Sequence, residues 1–318
     1  MSSGFKLDII TSAFNEEVCL PELYRRIKDV MQSEPNYDWR LIAIDNGSVD
    51  RTWEVLQDIA KNDPKVLAVR MSRNFDLDAA FTCGIDMATA EIAIIMCSDL
   101  QDPPEVIPLF LRKFEEGFEQ VAARIVKRDS VPLFRRLASN LFYKLANKLT
   151  KNRIPQNISD FRLVTRNCYL ALKQMREQHR FIRGLFSWVG FKTTFVDIER
   201  PPRYGGESTF LQLKFFRVFQ WAFTGILSHT STPLLWISAL GMFFSFISIS
   251  SLIIFIVFWL LAGVPFAGYG SIIAAIATGF SLVLFCLGVI SQYLAIIVEQ
   301  VKERPLYVVA EVIGESRK

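Results

Sequence analysis

Between Val218 and Val298 the chain runs for roughly eighty residues without one Asp, Glu, Lys or Arg, several times the ~20 residues that a helix needs to cross a bilayer. Two spans fit this stretch, about Leu235 to Leu261 and about Ser271 to Val298, joined by the short turn from Gly263 to Gly270. Core helices rarely continue for two such lengths without a charge, so the stretch predicts a transmembrane hairpin. Lys214 and Arg217 border it on one side and Lys302 and Arg304 on the other, while the connecting turn has no basic residue. The positive-inside bias then predicts both termini in the cytoplasm and the hairpin tip on the far side of the cell membrane. The N-terminal MSSGFKLDIITSAFNEE reads directly into a strand and a polar loop, so no cleavable signal peptide is expected.

Ahead of the hairpin, strand and helix signals alternate. LDIIT is followed by a helix from about Glu17 to Met31, RLIAID by one from about Asp50 to Lys61, and VLAVRM by one near Leu77 to Ala88. IAIIMC then leads to a helix from Pro103 to Glu116, and QVAARIV closes the series. This alternation predicts an α/β domain with a mostly parallel sheet. The cysteines, at positions 19, 83, 97, 168 and 286, have no metal-ligand spacing, and His179 and His229 are the available imidazoles. Zinc is therefore not expected, and reduced thiols are. A net charge of +4 makes any basic patch local, and no nucleic-acid partner is expected.

In open α/β sheets ligands bind beyond the carboxyl ends of the strands. The polar residues that end the apolar runs are therefore site candidates: Phe14, Asn15 and Glu16; Asp45, Asn46, Gly47 and Ser48; Asp99 and Gln101. Each also has a purely structural role open to it, since Ser48 and Asp50 suit a helix N-cap and Gly47 suits a turn. The segment MCSDLQDPPE is the most telling, because a buried run ends abruptly in Asp99, Gln101 and Asp102 before two prolines. In an extended segment Asp99 and Gln101 would share a face and offer two oxygens to a hard divalent cation. Alternatively, Asp99 and Asp102 cap the helix that Pro103 and Pro104 begin.

Two further segments are amphipathic and basic. Val131 to Lys151 spaces Leu133, Phe134, Leu137, Leu141, Phe142 and Leu145 at helical intervals among Arg135, Arg136, Lys144 and Lys148. Ser208 to Phe223 mixes Phe, Leu and Trp with Lys214 and Arg217 just before the first span. Beside a membrane span, helices of this kind are expected to lie in the interface.

Taken in order, these motifs resemble the membrane-anchored family 2 glycosyltransferases that move a sugar from a nucleotide onto a polyprenyl phosphate, such as dolichol-phosphate mannose synthases and, more closely, bactoprenol glucosyltransferases. The resemblance runs from about Leu7 to Glu311 through SAFNEE (12–17), IDNGSVDRT (44–52), SRNF (72–75), SDLQDPPEVIP (98–108), RRLAS (135–139), DFRLVTR (160–166), RFIRGLFSWVGF (180–191), RYGGEST (203–209) and VKERPLYVV (301–309). It implies a Rossmann-like GT-A catalytic domain over residues 1–207 and a juxtamembrane amphipathic helix over 208–230. Two transmembrane helices over 231–299 and a cytoplasmic tail with a strand over 300–318 complete the expected organisation.

The resemblance also implies roles. Ser12, Phe14, Asn15, Glu16, Asp45, Asn46, Ser98 and Asp99 would hold the nucleotide sugar, and Asp99 and Gln101 a Mg²⁺ or Mn²⁺ ion and the diphosphate. Arg124, Arg135, Ser139 and Arg203 would face the lipid phosphate, and Asp160 would orient a reacting group. The chain departs from the family pattern at several positions. Cys97 stands where the first Asp of Asp-x-Asp-Leu-Gln is common, Asn46 where the second Asp of Asp-Asp-Gly-Ser is, Asp76-Leu77 where Gly-Lys is, and Thr209 where Lys is usual. A thiol is a poor ligand for hard Mg²⁺.

The activity implied is inverting transfer of a hexose, glucose from UDP-glucose, onto undecaprenyl or another polyprenyl phosphate at the cytoplasmic face, for cell-envelope glycan modification. Such an acceptor is already anionic and needs no side chain to take its proton, which suits a chain with two histidines. A homo-oligomer is expected, with LYVVAEVI as a strand able to pair with another subunit's edge, and a flippase and a later glycosyltransferase as functional partners. Other donors, GDP-mannose or a UDP-amino sugar, stay open. So does a catalytically silent scaffold that binds nucleotide sugar or lipid. A processive synthase is disfavoured, because Gln220-Trp221 lacks the spacing of Gln-x-x-Arg-Trp.

Overall fold

The computed structural model describes residues 4–127, 158–178, 180–205 and 269–314, with isolated positions between 241 and 257. The chain divides into two compact units, Met1–Val218 with Pro305–Lys318, and Phe219–Arg304.

The first unit is built on an eight-stranded sheet. Its strands are β1 (Phe5–Ala13), β2 (Tyr37–Asp45), β3 (Val66–Met71), β4 (Ile92–Cys97), β5 (Gln120–Lys127), β6 (Ile158–Thr165), β7 (Thr193–Glu199) and β8 (Val309–Ile313), in the spatial order β7-β5-β6-β4-β1-β2-β3-β8. Helices α1 (Cys19–Gln32), α2 (Thr52–Asn62), α3 (Leu77–Met87), α4 (Ile107–Glu115), α5 (Arg166–Gln174) and α6 (Ile182–Trp188) cover it.

Strands covered on both faces read as continuous apolar runs. Ile9, Leu41 and Ala43 accordingly join a core with Leu23, Ile27, Trp53, Leu56 and Phe110 of α1, α2 and α4, whereas Ile10, Ile42 and Ile44 join a second core with Phe81 of α3, Tyr169 and Leu172 of α5 and Leu185 of α6. Each fully buried Ile or Leu contributes about 1.5–3 kcal/mol. Gly84 lets α3 lie close on the sheet, because a Cβ there would collide with the Ile10 side chain.

Strands β4, β1, β2 and β3 are parallel, and the chain reverses its direction of travel across the sheet between β1 and β4. That reversal opens a crevice at their carboxyl ends. The sheet is mostly parallel, as expected, and mixed in detail: β6 is antiparallel to both β4 and β5, and β8 is antiparallel to β3. The expected series stopped at β5 because ISDFRLVT carries Asp160 and Arg162 among its apolar residues, yet both are buried in β6. The tail strand pairs with β3 of its own chain and forms one edge of the sheet.

In the second unit, helix α7 (Tyr269–Val301) has 33 residues, about 50 Å of helix. Its one charged residue by sequence is Glu299. Several of its side chains lie outside the description, and over the described residues no helix is long and apolar enough to cross a membrane. Most of the expected first span lies outside the described residues, as do the amphipathic segments 131–151 and 208–223.

Candidate active site at the carboxyl edge of the sheet

The loops after β1 and β2 are locked together by reciprocal bonds between side chain and backbone. Asn15, with φ of 57°, donates its N–H to Ser48 Oγ at 3.0 Å, and its Oδ1 accepts from Val49 N–H at 3.0 Å. Glu16 N–H donates to Thr52 Oγ1 at 2.8 Å, and Arg51 N–H donates to Glu17 Oε2 at 2.9 Å. Asp45 Oδ1 accepts from Ser48 N–H at 2.9 Å, closing the turn at Gly47, whose φ of 70° and tight fit on the backbone of Arg73 and Asn74 leave no room for a side chain. Ser48 thus ties two loops together instead of capping α2, and Asp50 takes the Thr52 N–H at 3.0 Å.

Asn46 is a clip. Its Oδ1 accepts from Phe75 N–H at 3.0 Å and its Nδ2 donates to the Asp76 carbonyl at 2.8 Å. An aspartate could not make the second bond, which accounts for the amide at this position. Asp76 holds φ of 82° while its Oδ1 caps α3 through Ala79 N–H at 2.9 Å.

Two carboxylates at this end retain an oxygen for a ligand. Asp45 is fully buried, and among the described residues its Oδ2 has no hydrogen-bond partner, although Arg70 Nε lies 3.5 Å away and the Arg70 guanidinium covers the Trp53 ring at 5.7 Å. Glu16 Oε1 meets Arg203, whereas its Oε2 is buried without a partner among the described residues. Burial pushes both carboxyls above the usual range, and for Glu16 the nearby Asp99 adds to that push. Phe14 is half-buried, and Ser12 lends its carbonyl to Ser98 Oγ at 2.8 Å, which joins the ends of β1 and β4.

At the end of β4 the extended geometry expected for Asp99 and Gln101 does not hold. The strand stops at Cys97, Leu100 takes φ of 59° with its side chain buried, and Asp99 Oδ1 accepts the backbone N–H of Gln101 at 3.1 Å. The cause is local: a short carboxylate folding onto the amide two residues on makes a turn of its own. Neither acid caps the helix, since the 3₁₀ turn Pro104–Val106 has no side-chain cap. Asp102 instead lies fully buried, accepting from Cys97 N–H at 3.2 Å and Ser159 Oγ at 3.0 Å, with Arg200 at 3.5 Å. Burial raises its carboxyl, and burial with Asp102 and Asp99 nearby raises the Cys97 thiol well above the ordinary range.

Asp160 of β6 joins this end of the site. Arg183 of α6 grips its carboxylate with both Nε, at 2.6 Å, and Nη2. Burial works to raise the Asp160 carboxyl, but Arg183, Arg162 and Arg200 together hold it below the usual range, as an anion. Arg162 does not take that carboxylate: it donates to the Ser159 carbonyl at 2.9 Å and the Asp160 carbonyl at 3.2 Å and lies 4.3 Å over Phe186. Asp78, at the start of α3, is pushed up to about 7 by burial and then by Asp160 and Asp76.

Of the residues expected to face a lipid phosphate, Arg203 reaches the site through Glu16 and also donates to the Gly205 carbonyl at 2.8 Å. Arg124 lies on the exposed face between β5 and β7, where it grips Asp197 at 2.5 and 2.9 Å. Arg135 and Ser139 lie outside the described residues. Sequence reasoning passed over Thr52, Arg70, Asp78, Arg183 and Arg200. Arg183 lies in RFIRGLFSWVGF (180–191), but a lone arginine in an apolar helix carries no sign of its partner on β6.

Among the described residues no group of three or more His, Cys, Asp and Glu side chains stands ready to hold a metal alone. Magnesium and manganese, however, need only one or two carboxylates where phosphate oxygens and water complete the shell. Asp99 fits that need: it is half-buried, one oxygen is engaged by Gln101 N–H, and a hard carboxylate oxygen is left. The Cys97 thiol does not fit, being soft and held protonated.

The Glycosyl transferase family 2 profile matches residues 8–170. An uncharacterized glycosyltransferase of Synechocystis is 34% identical over 309 residues, covering 97% of this chain and 96% of that protein. YkcC of Bacillus subtilis, also an uncharacterized glycosyltransferase, is 34% identical over 319 residues, covering 100% and 97%. The SfII prophage-derived bactoprenol glucosyl transferase of Shigella flexneri is 32% identical over 304 residues, covering 96% and 97%. Among solved structures, glucosyl-3-phosphoglycerate synthase from Mycobacterium tuberculosis, in complex with Mn²⁺, UDP and phosphoglyceric acid, superposes with a TM-score of 0.50 at 16% identity, covering 71% of this chain and 77% of that one. That likeness concerns the fold, and the α/β GT-A fold expected from the motifs is the one found. With the profile covering half the chain and relatives matching nearly all of it, the chain belongs to glycosyl transferase family 2 and is a glycosyltransferase.

Proposed function

We propose that the protein transfers a hexose, glucose from UDP-glucose, with inversion onto undecaprenyl or another polyprenyl phosphate at the cytoplasmic face of the cell membrane. The observation that carries this reading is the crevice at the carboxyl ends of β1, β2 and β4, where Glu16 and Asp45 keep buried oxygens unpartnered among the described residues and Asp99 keeps a hard one. Relatives named bactoprenol glucosyl transferase, matched over 96% of the chain, support the acceptor and the sugar. The fold neighbour crystallised with Mn²⁺ and UDP supports a uridine nucleotide and a divalent ion.

In this reading Asp45 and Glu16 accept hydrogen bonds from the nucleoside, and Asp99, whose Oδ1 accepts the Gln101 N–H, is the residue that would hold Mg²⁺ or Mn²⁺. The ion supplies Lewis-acid stabilisation of the diphosphate leaving group. Arg203, already in the crevice, attracts the acceptor phosphate. That phosphate needs no general base, and Asp160, held anionic by Arg183, orients the sugar instead of delivering a proton. A phosphate oxygen attacks the anomeric carbon as the diphosphate departs on the opposite face.

The membrane hairpin belongs to the same proposal. It is supported by the uncharged run from Val218 to Val298 and by the 33 residues of α7, and basic residues at both outer ends put the termini in the cytoplasm. A lipid acceptor that stays in the bilayer calls for an enzyme that stays beside it. A homo-oligomer and hand-over of the lipid-linked sugar to a flippase and a later transferase complete the proposal. Purified protein in detergent, given undecaprenyl phosphate and a panel of radiolabelled nucleotide sugars, tests it. Fastest turnover is expected with UDP-glucose, and faster turnover with GDP-mannose or a UDP-amino sugar would reject the sugar assignment.

A further inference from the structure

The family profile ends at residue 170, yet the chain comes back to the sheet after α7 as strand β8. Its register on β3 sets Ala68 opposite Ile313, Val69 opposite Val312 and Arg70 opposite Glu311, and then Met71 opposite Val309. Ala310 is therefore an extra residue, a bulge that falls between Arg70 and Met71. Bulges bend a strand and re-aim the side chains next to them. Arg70 stands on β3 beside that bulge, and its side chain is the one that approaches Asp45 Oδ2 at 3.5 Å and covers Trp53.

One step on, Ser72 N–H donates to the Val308 carbonyl at 2.9 Å. That bond fixes the start of the loop whose residues Arg73 and Asn74 back Gly47 and whose residues Phe75 and Asp76 are clipped by Asn46. The tail is anchored in turn. The Tyr307 hydroxyl donates to Asp86 Oδ2 at 2.8 Å, Arg176 grips the same carboxylate at 2.7 and 2.9 Å, and Tyr307 and Val309 pack on the second core.

We propose that residues 307–313 are a positioning element for the nucleoside end of the donor site, setting Arg70 through the Ala310 bulge and the 72–76 loop through the Ser72–Val308 bond. The segment that follows the hairpin thus helps to shape donor binding without touching the donor. The proposal rests on reading the carboxyl edge as the nucleotide-sugar site. Coupling between two sites is reciprocal, so a nucleotide bound at Asp45 must also tighten the tail.

Hydrogen exchange of the full chain in detergent, with and without UDP and Mn²⁺, tests this directly. UDP is expected to slow exchange at 45–49 and at 308–313 together. Slowing at 45–49 alone overturns the inference, while slowing at neither overturns the donor reading and the inference with it. Deleting Ala310 removes the bulge and is expected to weaken UDP binding about tenfold, and Tyr307→Phe, a milder change, to raise the donor KM about threefold with kcat nearly unchanged. A purely structural tail would instead lower the melting temperature and leave UDP affinity and donor KM as in the parent. Should the deletion fail to fold, Tyr307→Phe and the exchange pattern of the unaltered chain still decide.

Discussion

At the ends of β1 and β2 most polar side chains are held by one another and by backbone; beyond β4 and at the start of β6 two buried carboxylates, Asp102 and Asp160, each also face an arginine. Asn15, Asp45, Asn46, Ser48 and Thr52 exchange short, uncharged or half-charged bonds that fix two loops in one shape. Asp160 and Asp102 depend on Arg183 and Arg200, which reach in from α6 and from the residue after β7. The first arrangement specifies shape and the second balances charge. A nucleoside is recognised by shape and by single hydrogen bonds, whereas a diphosphate and its counter-ion need a local field, so the division suits the proposed substrate.

The largest effect is expected where the field meets the reacting atoms. Asp99→Asn should cut sugar transfer to polyprenyl phosphate about a hundredfold, on the order of 3 kcal/mol of transition-state stabilisation, with the fold retained. Unchanged transfer of radiolabelled sugar would remove Asp99 from the chemistry. Gly47→Ala tests the shape-built half: a side chain at φ of 70° against the Arg73 backbone should cost about 2–4 kcal/mol of stability, read from melting curves. A neutral result there would mean the loops are softer than their bonds imply.

Asn46→Asp restores the family residue but gives up the donor to the Asp76 carbonyl. It should destabilise by about 1–3 kcal/mol, and an undiminished melting temperature would show that the clip is dispensable. The smallest effect concerns the boundary of the charge-built half. Asp78 is held up to about 7 in the folded chain against an ordinary 3.8, so the stability linked to its neutral form is complete below about pH 4 and is lost as pH rises through about 7. Asp78→Asn should therefore melt like the parent at low pH and a few degrees higher above neutrality; parallel melting at every pH would contradict this.

The sequence made the shape-built half more legible than the charge-built one. SAFNEE and IDNGSVDRT end apolar runs in small polar residues, which marks both loops, although the bonds that lock them run from one loop to the other across more than thirty residues. MCSDLQDPPE was legible as a site but not as a geometry, because the strand ends at Cys97 and Asp99 folds onto Gln101 N–H, so the assumed alternation no longer applies. Strand β6 was hidden because Asp160 and Arg162 interrupt its apolar pattern; Arg162 is satisfied by carbonyls of its own strand, but the partner of Asp160, Arg183, lies outside any local window.

By itself the sequence determined the alternating α/β architecture, the family and an uncharged run long enough for a hairpin, and it pointed to the carboxyl edge of the sheet as the candidate site. These follow from hydrophobic periodicity and motif order, which are local properties of the chain. The tertiary structure alone decided that Asp102 is a buried brace for Ser159, that Arg203 meets Glu16, that Arg183 answers Asp160, and that the tail strand closes on β3 of its own chain. Each of these pairs residues far apart in sequence. Burial makes an unpaired charge or backbone edge too costly to leave, and only the folded chain shows which distant group meets that need.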